Sequence, residues 1–175
     1  MRPGTDEVLH FSEDPTIRVF HPHSAPTSTD PKPYVWAVDA DRCPDYWFPR
    51  QCPRAMAWLG PTTTRADAAR ILGPGTARVH VIEYSWLASL QTTRLYAYRL
   101  PKSRFTAYGP HKSAPVSEET VEPLGPPQRV GDLLDLHREA GIQLRLVGNL
   151  WPWWHEVVAS TAEFSGIRLR NAAAA

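Results

Sequence analysis

The chain has 175 residues, of which 42% are hydrophobic, and its 19 basic residues nearly balance 18 acidic ones. This length and composition predict one domain with a well-buried core and exclude a disordered chain. The balanced charge gives no strong indication of nucleic acid binding. The apolar runs are shorter than the roughly 20 residues that span a bilayer, and no signal-peptide core is visible near the N-terminus, so we expect a cytoplasmic protein without membrane contact.

The first half of the chain is predicted to contain short strands and two helices. Apolar or alternating residues predict strands at 9–12, 34–38 and 54–59. A short helix is expected over 44–47, and a longer one from Thr64 to about Leu72. Thr64 is a preferred N-cap with Asp67 at the capping-box position, and Gly73 ends the helix. The loop at 21–33 is rich in Pro, Ser and Thr and has no periodicity.

The second half mixes strands and helices in the same way. Strands are predicted at 77–84, 95–100, 105–108, 114–121 and 142–147. Helices are predicted at 85–90, 130–140 and 154–169, the last because its apolar residues follow helical spacing. Because the order shows no regular βαβ rhythm, we predict an α+β fold. It would be a single domain over 1–175 with a curved or split, mostly antiparallel β core, flanking helices and a tail at 172–175.

The end of the first predicted strand carries two polar residues. His10 and Ser12 are two positions apart, so on a strand they share one face, while Phe11 points to the other face and toward a core. The turn at Asp14-Pro15 follows directly. Polar side chains at a strand end beside a turn often form a pocket wall, and a histidine there can bind a ribose hydroxyl or transfer a proton.

Aromatic and basic residues supply the other predicted parts of a binding pocket. Trp36 and Tyr46 offer rings on which a base or a nicotinamide can stack. Arg50 and Arg54 lie beside turns, where a guanidinium suits a phosphate or a carboxylate. The sequence therefore predicts one principal pocket, lined by the set His10, Ser12, Trp36 and Tyr46 with at least one of Arg50 and Arg54.

Two adjacent carboxylates are the candidate catalytic residues. Glu118 and Glu119 follow Val116-Ser117 on a predicted strand, so one is expected to point inward and the other outward. An inward carboxylate can stabilise the positive charge that develops at an anomeric carbon during glycosidic cleavage. Which of the two points inward is left open by the sequence.

The sequence predicts no metal site. His21, His23, Cys43 and Cys52 are the residue types that bind zinc, but their spacing matches none of the known zinc motifs. The two cysteines are therefore expected to be free thiols.

Four stretches of the chain resemble an uncharacterised bacterial family of small proteins, a domain of unknown function. They are LHFSEDPTIRVFHP, YVWAVDADRCPDYWFPRQCPR, TTRLYAYRLP and VVASTAEFSGIRLRNA, so the resemblance extends from about Leu9 to Asn171. It implies no established reaction.

The chain also resembles the ADP-ribosyltransferase-like fold. Leu9-His10-Phe11-Ser12 with Ile17 is similar to its first strand, Val35-Trp36-Ala37 with the following Asp45-Tyr46 to its second element, and 116–123 to the strand that delivers a catalytic glutamate. The resemblance implies NAD as the substrate. His10 would hold the adenosine-side ribose, Tyr46 or Trp36 would stack on nicotinamide, and Glu118 or Glu119 would polarise the ribose hydroxyl.

Three classes of function remain open from the sequence. The first is an enzyme of the ADP-ribosyltransferase type that acts on NAD, with an unknown acceptor. The second is a non-catalytic module that binds a nucleotide or a phosphorylated metabolite in the same pocket. The third is an interaction protein that uses Trp151, Trp153 and Trp154 as a partner surface.

Overall fold

The computed structural model describes residues 1–24, 32–109 and 114–175, and they divide into two compact units. Unit 1 consists of Met1–Trp47 and Arg94–Gly131, and unit 2 of Phe48–Thr93 and Asp132–Ala175. Each unit therefore combines two stretches that are distant in the sequence. Most of the predicted loop at 21–33 lies outside the described residues.

The described ranges contain ten strands and four α-helices, which are numbered in chain order. The strands are β1 (Glu7–Ser12), β2 (Val35–Trp36), β3 (Arg54–Trp58), β4 (Arg78–Glu83), β5 (Tyr96–Pro101), β6 (Thr106–Tyr108), β7 (Ala114–Ser117), β8 (Gln128–Arg129), β9 (Gln143–Val147) and β10 (Glu163–Ile167). The helices are α1 (Arg65–Asp67), α2 (Leu87–Thr92), α3 (Leu133–Glu139) and α4 (Trp151–Val158). None of the helices in the described ranges is long and apolar enough to cross a membrane.

Unit 1 contains two small antiparallel sheets. One has the strand order β1-β5-β8 and the other β2-β7-β6. A backbone bridge connects them, in which Leu9 and Val38 exchange hydrogen bonds of 2.9 and 2.8 Å. The buried core of this unit consists of Val8, Phe20, Val35, Ala37, Tyr98, Leu100 and Val121.

Unit 2 is built around one sheet with the strand order β10-β3-β4-β9. The first two pairs are antiparallel, and β4 and β9 are parallel. Its core consists of Ala55, Ala57, Ile71, Leu72, Val79, Val81, Leu150, Val157 and Ala162. The prediction of a mixed α and β protein with mainly antiparallel pairing is confirmed, and the β4–β9 pair is the parallel exception.

The predicted helix boundary at Thr64 is confirmed. The Thr64 hydroxyl accepts a hydrogen bond from the Asp67 amide at 3.2 Å, which satisfies one of the exposed donors of the first turn. After α1 the helix widens into a π-helical segment, Ala68–Leu72, which ends at Gly73 with a φ of 75°. A positive φ of this kind favours glycine, so the sequence signal and the backbone agree.

The predicted helix at 154–169 is wrong. Helix α4 begins earlier, at Trp151, and ends at Val158, and the remaining residues form β10 against β3. The change occurs because Asp67 accepts hydrogen bonds from the amide and hydroxyl of Thr161, at 2.8 and 2.7 Å, and so fixes a turn between the two elements. Apolar spacing in so short a segment fits a helix and a strand alike.

The final alanines, predicted to be a tail, are hydrogen-bonded within unit 2. The amide of Ala173 donates to the buried carboxylate of Glu83 at 3.1 Å, and its carbonyl accepts from the Trp151 indole at 2.8 Å. The Ala174 carbonyl accepts from the Asn149 amide at 2.7 Å. Glu83 also binds the Leu150 amide at 3.1 Å, so one carboxylate holds both the start of α4 and the chain after β10.

A chain of hydrogen bonds crosses the interior of unit 2. Arg78 donates from Nε to His80 Nε2 at 3.0 Å, so the His80 proton lies on Nδ1, which is 3.0 Å from His137 Nε2. His137 in turn donates from Nδ1 to the Leu133 carbonyl at 2.6 Å. Both histidines are fully buried, and the Phe48 ring packs against both. The two bonds in which a ring accepts require both imidazoles to be neutral.

We expect the stability of the protein to fall as the pH drops below the ordinary histidine range. Burial lowers the pKa of His137 from its usual 6.5, so the unfolded chain takes up a proton near that pH while the folded chain does not. The free energy of unfolding should therefore decrease between about pH 7.5 and 5.5, above the ordinary range of carboxylates. Urea unfolding of wild type and His137→Gln measures this change.

The exposed His155 supplies the control for this measurement. His155→Gln should keep the wild-type pH dependence, whereas His137→Gln should flatten it. An unchanged slope in His137→Gln would contradict the assignment.

Gly166 in β10 is predicted to be intolerant of any side chain. A Cβ at this position would lie 2.7 Å from side-chain atoms of Trp154 and Leu169, which pack over the strand. We expect Gly166→Ala to lower the free energy of unfolding by about 1–3 kcal/mol through overpacking. Gly148→Ala is the matched control, because a Cβ there meets nothing within 4 Å. Equal stability of the two variants would show that the strand yields without cost.

Candidate functional site

The candidate site in unit 1 begins with His10 on β1. Its register partner on β5 is Tyr98, and its face of the strand carries Val8, which belongs to the unit 1 core. Leu9, on the face that carries Phe11, is buried as well, so both faces of β1 are partly covered. His10 is half-buried, and its ring contacts that of Phe20, a residue of the unit 1 core.

One hydrogen bond determines how the His10 ring presents its two nitrogens. Nδ1 lies 2.8 Å from the carbonyl oxygen of Trp36 on β2. A carbonyl only accepts, so Nδ1 carries the proton, and in the neutral ring Nε2 is an acceptor. The structure thus brings together two of the predicted site residues, His10 and Trp36, although they are on different sheets.

Aromatic rings contact each member of this pair. The centroid of Phe20 is 4.6 Å from that of His10, and Phe20 meets Tyr98 edge-on at 5.2 Å. A second group, the aromatic triad Tyr34, Trp36 and Tyr108, packs with centroid distances of 5.2 to 5.9 Å. We call the set His10, Phe20, Tyr34, Trp36 and Tyr108 the His10 site.

Trp36 contributes an unsatisfied polar atom. Its indole Nε1 is buried and has no hydrogen-bond partner among the described residues. A buried donor without a partner costs about 1–3 kcal/mol. An acceptor that reached this atom would recover that free energy.

Ser12 and Tyr46 have different surroundings. Ser12 is buried and its hydroxyl accepts from the Asp14 amide at 3.1 Å, so it supports the turn after β1. Tyr46 ends the 3₁₀ helix Cys43–Tyr46 and is 37% exposed. In that helix Asp45 is fully buried and paired with Arg42 at 2.8 Å, which fixes the backbone from which Tyr46 projects.

Arg50 and Arg54 belong to unit 2. Arg50 is exposed. Arg54 is only 3% exposed, donates to the Cys52 carbonyl at 3.0 Å, and lies 5.2 Å from the centroid of the Phe48 ring. These contacts give Arg54 a structural role within unit 2, so we define the candidate site by unit 1 residues.

The two candidate catalytic carboxylates are both on the surface. Strand β7 ends at Ser117, whose hydroxyl accepts from the Glu119 amide at 3.2 Å, so the predicted strand 114–121 is shorter than expected. Glu118 pairs with Lys32 at 2.6 Å and Glu119 with Arg104 at 2.7 Å. The expected alternation of one inward and one outward side chain therefore does not occur, and a catalytic role for either stays a prediction.

Sequence reasoning missed three buried polar residues of unit 2: Glu83, His80 and His137. A usable signal was present, since His80 lies between Val79 and Val81 in an apolar strand. A histidine in such a position is buried and must find a partner. The partner is on a helix far away in sequence, so the pair itself could not be inferred.

The cysteines and the tryptophans of α4 complete the set of predicted residues. Cys43 and Cys52 are buried and unbridged, and burial raises the pKa of each thiol to about 12. No group of three or more His, Cys, Asp or Glu residues in the described ranges is placed to hold a metal ion. Trp151, Trp153 and Trp154 are half-buried.

Comparison with known proteins gives one result. Searches of curated proteins and of solved structures find no significant match. A family model described as a family of unknown function, DUF6886, matches residues 9–172, which is nearly the whole chain. The expected resemblance to an uncharacterised family is thereby confirmed, and the chain belongs to the DUF6886 family.

Proposed function

We propose that unit 1 binds a nucleotide that contains a ribose and a flat base, with NAD or ADP-ribose as the ligand, at the His10 site. The observation that carries the proposal is the hydrogen bond from His10 Nδ1 to the Trp36 carbonyl. It fixes the tautomer and orientation of the ring, so that Nε2 is the atom that would accept a ribose hydroxyl.

The aromatic residues support this choice of ligand. The Phe20 ring lies 4.6 Å from the imidazole, and Trp36, whose carbonyl holds that imidazole, packs with the rings of Tyr34 and Tyr108. Stacking of a base on an aromatic side chain is worth about 1–3 kcal/mol. The unsatisfied indole N–H of Trp36 favours a ligand that also carries acceptors, as a nicotinamide or an adenine ring does.

The carboxylates favour binding over catalysis. Cleavage of the nicotinamide–ribose bond develops positive charge at the anomeric carbon, which a nearby carboxylate would stabilise. Glu118 and Glu119 are instead exposed and held in ion pairs by Lys32 and Arg104. Transferase chemistry would require one of them to leave its pair. We therefore propose a nucleotide-binding module, with the ADP-ribosyltransferase activity as the second candidate because β7, which precedes both glutamates, pairs directly with β2.

Titration calorimetry with NAD and with ADP-ribose tests the binding proposal. The His10→Asn variant retains a donor near the position of Nδ1, so the bond to the Trp36 carbonyl survives while the Nε2 acceptor is lost. We expect binding to the wild type and a Kd about tenfold higher for His10→Asn, as loss of one hydrogen bond of about 1 kcal/mol or more implies.

The exposed His155 of unit 2 again provides the control, since His155→Asn should bind like the wild type. No heat from either ligand at millimolar concentration would end the proposal. Equal affinity of the His10→Asn variant and the wild type would show that the ligand does not bind through His10.

Release of nicotinamide separates the two candidate functions. For a binding module we expect no nicotinamide from NAD on prolonged incubation, and no effect of Glu118→Gln or Glu119→Gln on affinity for ADP-ribose. Chromatographic assay of the incubation mixture gives the answer. Release that is abolished by one of the two substitutions and kept by the other would establish the enzyme and identify its carboxylate.

A further inference from the structure

We propose that a groove of unit 1, lined by residues outside the His10 site, binds a small aromatic carboxylate. The groove has a volume of about 550 Å³ and lies between the segments 15–18 and 123–127. Sites for small molecules commonly measure about 300–1,000 Å³. The proposal is independent of nucleotide binding at His10.

Proline and isoleucine side chains make much of the groove wall apolar and stiff. Pro15 and Ile17 contribute on one side, and Pro123, Pro126 and Pro127 on the other. Proline loses almost no side-chain entropy when a ligand packs on it. Its ring presents a flat apolar surface, so a planar hydrocarbon body is the shape that these walls would hold best.

The first wall is fixed to the core before any ligand arrives. The hydroxyl of the buried Tyr98 donates to the Asp14 carbonyl at 2.7 Å and accepts from the Ile17 amide at 3.1 Å. Asp14 itself accepts from the amide and the hydroxyl of Thr16, at 2.8 and 2.6 Å. The segment is therefore held at both ends, which reduces the ordering cost of binding.

The second wall is attached by its backbone. Phe20 and Val121 exchange amide–carbonyl hydrogen bonds of 2.9 and 3.0 Å, which join the two segments at one end of the groove. The Leu124 amide donates to the Arg99 carbonyl on β5 at 2.9 Å. Both walls thus depend on the β1-β5-β8 sheet, and their separation is set by it.

Arg18 supplies the charge. It is the one ionisable side chain among the residues that line the groove, it is exposed, and it has no ion pair within the described part of the chain. A guanidinium binds a carboxylate through two parallel hydrogen bonds. A single positive charge balances one carboxylate, whereas a phosphate monoester brings about −1.5 to −2. Charge complementarity therefore selects the carboxylate.

The experiment compares three probes that differ only in their polar group. They are 1-naphthoate, 1-naphthyl phosphate and the neutral 1-naphthamide, and their binding is followed by chemical-shift changes in NMR spectra of the whole protein. We expect 1-naphthoate to bind with a Kd of about 1 mM or below and the amide at least about tenfold more weakly, as loss of a charge-assisted bond implies. Arg18→Gln should reduce the affinity for 1-naphthoate to that of the amide, and Arg129→Gln, at another exposed arginine of unit 1, should leave it unchanged.

A pair of glycines tests the location. A Cβ at Gly125, which lines the groove, meets nothing within 4 Å, and the same holds for Gly131, which does not line it. Gly125→Phe should abolish binding by filling the groove, and Gly131→Phe should preserve it. Thermal unfolding shows whether each variant folds. If Gly125→Phe does not fold, the Arg18→Gln variant still tests the proposal.

Three results would overturn the proposal: no binding of 1-naphthoate at tens of millimolar, tighter binding of the phosphate than of the carboxylate, or full binding by both Arg18→Gln and Gly125→Phe. Because His10→Asn should bind 1-naphthoate normally, failure of this proposal is distinguishable from failure at the His10 site.

Discussion

The junction between β1 and β2 is the constraint on which unit 1 depends. The backbone bridge between Leu9 and Val38 joins two small sheets, and the His10 ring adds a side-chain bond to the carbonyl of Trp36 beside it. A pair of strands as short as β2 would not be stable alone, because a two-stranded sheet needs further strands or a packed apolar face. The same ring that strengthens the junction is the one that would accept a ligand. In the proposed function, binding and folding share one side chain, so a substitution at His10 must keep the Nδ1 donor if the two effects are to be separated.

Unit 2 relies instead on buried polar groups that are satisfied by distant parts of the chain. Glu83 accepts from the Leu150 and Ala173 amides, and the histidine pair connects β4 to α3. Arg145 on β9 donates to the Ile71 carbonyl at 2.8 Å and to that of Leu72, so it caps the end of the π-helical segment. Burying any of these polar groups without a hydrogen-bond partner would lower the free energy of unfolding. These buried polar groups therefore determine which elements pack together, and they do so more specifically than apolar contacts do.

Elements that depend on neighbouring residues could be predicted from the sequence, whereas elements that depend on distant residues could not. The helix from Thr64 to Leu72 could be predicted because its cap, its capping-box aspartate and its terminal glycine are all within ten residues. Strand β10 could not, because its identity depends on pairing with β3 and on the hydrogen bond that the Thr161 amide donates to Asp67. The same reason applies to the site. That His10 and Ser12 share a strand was visible, whereas the contact of His10 with Trp36 and the exposure of Glu118 depend on how β7 ends and how β2 pairs.

The interleaved order of the two units limits how the protein can be dissected. Since the chain enters unit 2 at Phe48, returns to unit 1 at Arg94 and leaves it again after Gly131, no single cut releases an intact unit. An isolated unit 1 requires Trp47 to be rejoined to Arg94 by a linker, and closing such a gap with a short flexible segment costs little entropy because the cost grows only slowly with loop length. A nick between Thr93 and Arg94 would likewise leave two fragments that each carry part of both cores. Fragment complementation, in which separately expressed halves reassemble, is thus the form of split protein to which this topology is suited.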